Sequence, residues 1–136
     1  MKTIFLALLF FFVSNCFSQQ TITDSIVHDG ISRKFILYVP ASYNPSVAAP
    51  LVFNFHGYGG SANGQMLYGD FRNIADTAGF LLLHPEGTLD AQGTPYFNSN
   101  LGGTVDDVGF TDVLIDSINC NYNVDLERVY STGMSN

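Results

Sequence analysis

The chain has no tryptophan, two cysteines, and five lysines and arginines against twelve acids in 136 residues. Each shortage excludes something. Two cysteines are too few for a disulfide scaffold, and Cys16 and Cys120 lack metal-site spacing. A net charge of −7 leaves few cations for phosphate contacts, which excludes a nucleic-acid binder. Charged residues are 12% of the total, while 46% are hydrophobic and 14% aromatic, too apolar for a disordered chain. The run Ile4 to Val13 is ten residues long, half of the roughly twenty that a bilayer span needs. What remains fits a globular protein with tight turns, rich in Gly (13) and Phe (12).

The first segment reads as an address. Lys2 supplies a small positive start and the apolar run follows. Ser14 and Asn15 break it, and Cys16-Phe17-Ser18 places small residues at −3 and −1 of a cut before Gln19. This is the anatomy of a secretory signal peptide over residues 1–18. The expectation is therefore an exported protein, extracellular or periplasmic, with no stable membrane insertion once the signal is removed. Cys120 would then be its single cysteine, either buried and inert or missing its partner.

Beyond residue 18 the pattern is strand-rich. Thr21–His28 and Ile31–Val39 flank Asp29-Gly30, a strong hairpin signal. Phe35, Leu37 and Val39 fall on one face of the second strand, Ile36 and Tyr38 on the other. Leu51–Phe55 is a short apolar run of the kind that buried parallel strands show. A glycine-rich loop spans Gly57 to Gly64. Met66, Leu67, Phe71, Ile74, Ala75 and Ala78 recur at helical spacing, with Gly79 as the stop. Phe80–Leu83 is a further buried strand, ended by Pro85. Residues 87–104 read as a long loop. A second helix is expected over Asp107–Asn119 with Val113, Leu114 and Ile118 inward, then a short strand Arg128–Ser131. Hairpin, then strands alternating with helices, gives an α/β fold with a parallel sheet covered on both faces.

Two motifs carry chemistry. Gly133-Met134-Ser135-Asn136 follows a strand as Gly-x-Ser-x; one more residue, if glycine, would complete a G-x-S-x-G nucleophile elbow, in which a tight turn pushes the serine hydroxyl into the open and neighbouring positions must be small, the alternative being a turn with an incidental serine. His56-Gly57-Tyr58-Gly59-Gly60 follows another buried strand. In the hydrolase plan that loop donates a backbone N–H to the oxyanion hole. Its glycine spacing does not match a dinucleotide loop. The two motifs in this order support one another more than either does alone. His56 is not expected to be the triad base, since in this plan the histidine follows the serine in the chain; it is expected to shape the loop by hydrogen bonding. His28 and His84 read as structural or exposed. Asp106-Asp107 reads as a helix N-cap with a favourable charge at the positive end of the helix dipole, or with Asp107 facing a substrate cleft. Tyr96 and Phe97 are candidates for stacking on an aromatic or sugar substrate.

Five blocks appear in order: Phe35-Ile36-Leu37-Tyr38-Val39-Pro40, Pro50-Leu51-Val52-Phe53, His56-Gly57-Tyr58-Gly59-Gly60, Val105-Asp106-Asp107-Val108-Gly109-Phe110 and Arg128-Val129-Tyr130-Ser131-Thr132-Gly133-Met134-Ser135-Asn136. Together they resemble the secreted polyhydroxybutyrate depolymerase and feruloyl esterase group, related to the family-one carbohydrate esterases of the α/β-hydrolase superfamily. The resemblance covers nearly all of residues 31–136. It implies a serine esterase acting on polyester, feruloyl or acetyl esters through an acyl-enzyme, with Ser135 as nucleophile and the amides of Tyr58 and Asn136 as oxyanion hole. No metal or cofactor is implied. Members often carry a tryptophan before the Asp-Asp block; here Phe97 stands in that region. The triad acid and base find no counterpart, so residues 19–136 are expected to be the N-terminal part of the esterase domain, cut just after the nucleophile and inactive alone. A secreted glycan-binding module and a serine peptidase of the same fold are the alternatives.

Overall fold

In the computed structural model, residues 18–98 and 104–135 are described; residues 1–17, which hold all but the last residue of the expected signal segment 1–18, lie outside them, as do residues 99–103 and Asn136. Strands β1 (Gln20–His28) and β2 (Ile31–Val39) form the antiparallel hairpin, paired from Gln20↔Val39 to His28↔Ile31. Asp29 and Gly30 turn the chain at φ +49° and +76°. Two successive left-handed residues match the twist of the strands, which is why Asp-Gly is so strong a signal.

Strands β3 (Ala49–Phe55) and β4 (Leu81–Pro85) follow, each reaching two residues past its expected span, β3 at its start and β4 at its end. After the small strands β5 (Thr88–Leu89) and β6 (Pro95–Tyr96) comes β7 (Val124–Gly133). The main sheet runs β1-β2-β4-β3-β7, with β2 antiparallel to β4 and the pairs β4/β3 and β3/β7 parallel. β7 is longer than its apolar centre suggested. Its first residues pair with Ala49 across a register shift, and they are too polar to read as buried strand.

The central strands β2, β4 and β3 are covered on both faces, whereas β1 and most of β7 stay largely exposed. Phe35, Leu37, Val39, Leu51, Phe53, Leu81 and Leu83 pack on one side with Phe110, Leu114 and Ile118 of α3 (Asp107–Asn121). On the other side Ile36 packs with Ala62 and Met66 of α1 (Ala62–Tyr68), and Tyr38 and Leu82 pack with Ala75 of α2 (Arg72–Ala78). Consecutive apolar residues are what a strand buried on both sides requires. Val113 does not point inward as expected; the buried stripe of α3 steps by four from Phe110, and Val113 is exposed.

The single helix expected over 66–78 is two. The Asn54 side-chain amide donates to the Gly69 carbonyl (3.0 Å), taking it out of the helical ladder. Asp70 then accepts from the Arg72 N–H (3.1 Å) and pairs with its guanidinium (2.8 and 2.6 Å), starting α2. Gly79 ends α2 in the left-handed region, φ +72°. Within 87–104 the expected loop contains the β5/β6 hairpin, whose turn is tied by Asp90 accepting from the N–H groups of Gln92 and Thr94 (2.9 and 2.8 Å). Cys120 is free and exposed, so it is not the buried, inert thiol. Among the described residues no helix is long and apolar enough to cross a membrane.

His84 on β4 is fully buried, and burial holds its imidazole down to about 4 from the ordinary 6.5. The unfolded chain therefore takes up a proton that the folded chain refuses. Stability conferred by the neutral ring is complete above pH 6.5 and is lost as the pH falls toward 4, at up to about 1.4 kcal/mol per pH unit. Urea titrations across this range are expected to show that slope in the native sequence and a flatter profile in His84→Leu.

Candidate active site

The parallel pairing of β3 and β7 runs up to Phe55↔Gly133. Both strands thus release their loops at the same edge of the sheet. The His56–Gly60 loop leaves β3, and Met134-Ser135 leaves β7. The Met134 N–H donates to the Phe55 carbonyl (3.2 Å), tying the two exits together.

The approach is close enough to dictate glycine on both sides. A Cβ on Gly133 would stand 2.7 Å from the Phe55 carbonyl oxygen. A Cβ on Gly57 would stand 2.7 Å from the Met134 carbonyl oxygen and 3.1 Å from the Cβ of Ser135. Ser135 itself has φ +57°. A side chain in the left-handed region is uncommon and strained, and such strain concentrates where surrounding structure enforces it.

The loop is held by its own groups. His56 is 2% exposed. Its Nε2 accepts from the Gly87 N–H (3.0 Å), which leaves the proton on Nδ1, 2.8 Å from the Gly57 carbonyl oxygen to which it donates. Both ring nitrogens are therefore engaged in loop geometry. The Gly59 and Gly60 amides donate to the carbonyls of Pro95 (2.8 Å) and Gly57 (2.9 Å). The Tyr58 ring is exposed and its hydroxyl donates to Asp90 (2.6 Å).

Beside Ser135 lies a cavity of about 380 Å³, walled by Phe55, Phe97 and Val108 and bordered by His56, Asp107 and Ser131. Phe97 is buried, edge-on to Phe55 at 5.1 Å and against the His56 ring at 4.7 Å. Tyr96, on β6, is not among the described residues that line this cavity. The two aspartates are placed differently. Asp106 caps α3, accepting from the Gly109 N–H (2.8 Å), and stands 3.5 Å from His28. Asp107 reaches the cavity and is buried. One of its oxygens meets the Arg33 guanidinium and the other accepts from the Asn98 N–H, each at 2.5 Å.

Arg33 and Asn98 did not emerge from motif reading. A signal for Arg33 existed: it shares the inward face of β2 with Phe35, Leu37 and Val39, and an arginine in a core register demands a partner. Glu86 was also missed; it accepts from the Ala62 N–H at the start of α1 (2.8 Å).

No family model matches the chain. It is 30% identical over 121 residues to a bifunctional acetylxylan esterase/xylanase of Neocallimastix patriciarum, a match covering 85% of this chain and 16% of the relative. Similar solved structures include an S-formylglutathione hydrolase from Agrobacterium tumefaciens, with TM-score 0.67, 18% identity, and coverage of 90% of this chain and 51% of that one. An acetyl xylan esterase from Aspergillus awamori gives 0.58 at 18% identity, covering 85% and 42%. A CE1 ferulic acid esterase from Anaeromyces mucronatus gives 0.57 at 14%, covering 89% and 51%. The chain thus spans a sixth of the curated relative and at most about half of these structures. It has the α/β-hydrolase fold of these solved esterases, and its sequence is similar to that of the acetylxylan esterase/xylanase.

Proposed function

We propose that this chain supplies the nucleophile and oxyanion half of a secreted serine esterase. Ser135 attacks the ester carbonyl; the amides of Tyr58 and Asn136 hold the oxyanion as charge develops on it; water then releases the acyl group from Ser135. The observation that carries this reading is Ser135 at φ +57° at the exit of β7, packed against Gly57 of the His-Gly loop. Fold similarity to esterases supports it. The apolar wall of Phe55, Phe97 and Val108 suits the acyl portion of an ester on plant polysaccharide, feruloyl or acetyl, or of a hydroxyalkanoate polyester. Export is supported by Lys2 and the apolar run that follows it.

The base and its acid are proposed to come from outside these 136 residues, in a longer protein. The three histidines of the chain are otherwise committed. His56 uses both nitrogens, His84 is buried within β4, and His28 sits between Asp29 and Asp106 at 3.6 and 3.5 Å. Without a base, serine turnover falls by several powers of ten. The 136-residue chain alone should therefore give no hydrolysis of p-nitrophenyl acetate or methyl ferulate above buffer, whereas the longer protein turns over at least one. Turnover by the short chain that vanishes in Ser135→Ala would show that a base had been overlooked.

A further inference from the structure

We propose that Arg33 is a positioning residue for the acyl wall of the cavity. The proposal rests on the esterase reading for its meaning and on geometry for its substance. Arg33 lies on β2 and is 2% exposed. Its guanidinium stands 3.9 Å over the Phe110 ring, so its face is fixed by α3. One amino group reaches Asp107 Oδ1, and the same nitrogen lies 3.4 Å from the Glu86 carbonyl oxygen at the end of β4.

Asp107 passes that constraint on. Its second oxygen accepts from the Asn98 N–H, and the Asn98 side chain donates to the Val105 carbonyl (2.8 Å). Asn98 is covalently next to Phe97, whose ring forms the wall against Phe55 and His56. The chain of contacts runs from the sheet through an ion pair to the backbone just after the wall residue. A planar fork over an aromatic ring holds one orientation, which a flexible ammonium does not. A carboxylate bonded on both oxygens has no freedom to swing. Arg33 thus sets where Phe97 stands and hence how an acyl group fits beside Ser135, without touching that group.

Two readouts separate this role from simple structural support. In the full protein, Arg33→Met should reduce hydrogen-exchange protection of the Asn98 amide at least tenfold, with the amides of Leu82 and Leu83 in β4 changed less than twofold. KM for methyl ferulate should rise about tenfold with kcat within threefold, as expected when binding contacts and not the chemical step are disturbed. Arg33→Lys keeps the charge and carries the test where Arg33→Met fails to fold; Asn98 protection should fall about threefold. Unchanged Asn98 protection in the folded variant would overturn the proposal, as would equal loss at Asn98 and in β4. If the native protein hydrolyses no ester, the esterase reading fails, while the exchange measurement still decides whether Arg33 positions this segment.

Discussion

Replacing Ser135 with alanine in the proposed longer esterase is expected to lower kcat by about 10⁴- to 10⁶-fold, the scale seen when a triad nucleophile is removed. The fold should survive, because the position is exposed and alanine fills less space. A second substitution sharpens the test. Ser135 is held at φ +57°, a conformation that costs a residue with a Cβ about 1–3 kcal/mol and glycine far less. Ser135→Gly should therefore be as inactive as Ser135→Ala yet more stable to urea than the native protein. Strain retained at one residue, and relieved only at the expense of activity, is the signature of a site and not of an incidental turn. A glycine variant no more stable than native would mean that the turn is relaxed and the elbow argument unsound.

The second large effect concerns the other side of the site. Gly57→Ala puts a Cβ where the Met134 carbonyl oxygen already stands at 2.7 Å. That neighbour is backbone and cannot rotate away, so the His-Gly loop and the β7 exit must separate. The Tyr58 amide, proposed as an oxyanion donor, moves with the loop. Loss of one such donor costs about 10²- to 10³-fold in kcat, and Gly57→Ala is expected to fall at least that far, with KM changed much less. Steady-state kinetics on p-nitrophenyl acetate check this. A loss confined to KM would instead place Gly57 in ground-state binding. Gly60→Ala is a useful companion. Its Cβ would meet the Gly57 carbonyl oxygen at 2.9 Å, so it strains the same loop from within without pressing on Ser135.

The elements of the sheet were legible because their residues have one place to go. Phe35 to Val39 and Leu81 to Leu83 are apolar without interruption, and only a strand covered on both faces uses such a run. Asp29-Gly30 fixed its hairpin through the φ that glycine permits. The break between α1 and α2 was not legible, since it depends on Asn54 of β3 capturing the Gly69 carbonyl, a contact that sequence spacing does not record. The β5/β6 hairpin escaped notice for a similar reason: Asp90 organises it with a single side chain.

The site divides in the same way. Gly133, Ser135 and the His-Gly loop announce themselves through residue types that crowded backbone requires. Asp107 was expected at a cleft only as an alternative to helix capping, and Tyr96 and Phe97 were expected only as a pair. The structure separates each pair by burial: the inner member lines the cavity and its neighbour caps a helix or extends a hairpin. Arg33 is 74 positions from Asp107. Its place on the inward face of β2 was visible, but its partner was not, because nothing local links the two.

Covalent trapping tests most directly whether Ser135 is the nucleophile. The longer protein is treated with diethyl p-nitrophenyl phosphate, digested with trypsin and mapped by mass spectrometry. One diethylphosphoryl group should appear on the peptide that begins at Val129, after Arg128, with fragment ions placing it on Ser135 and activity lost in step with labelling. Ser135→Ala should remain unlabelled. A label on Ser131, which also borders the cavity, or equal labelling of the Ser135→Ala protein, would show that Ser135 is not the nucleophile.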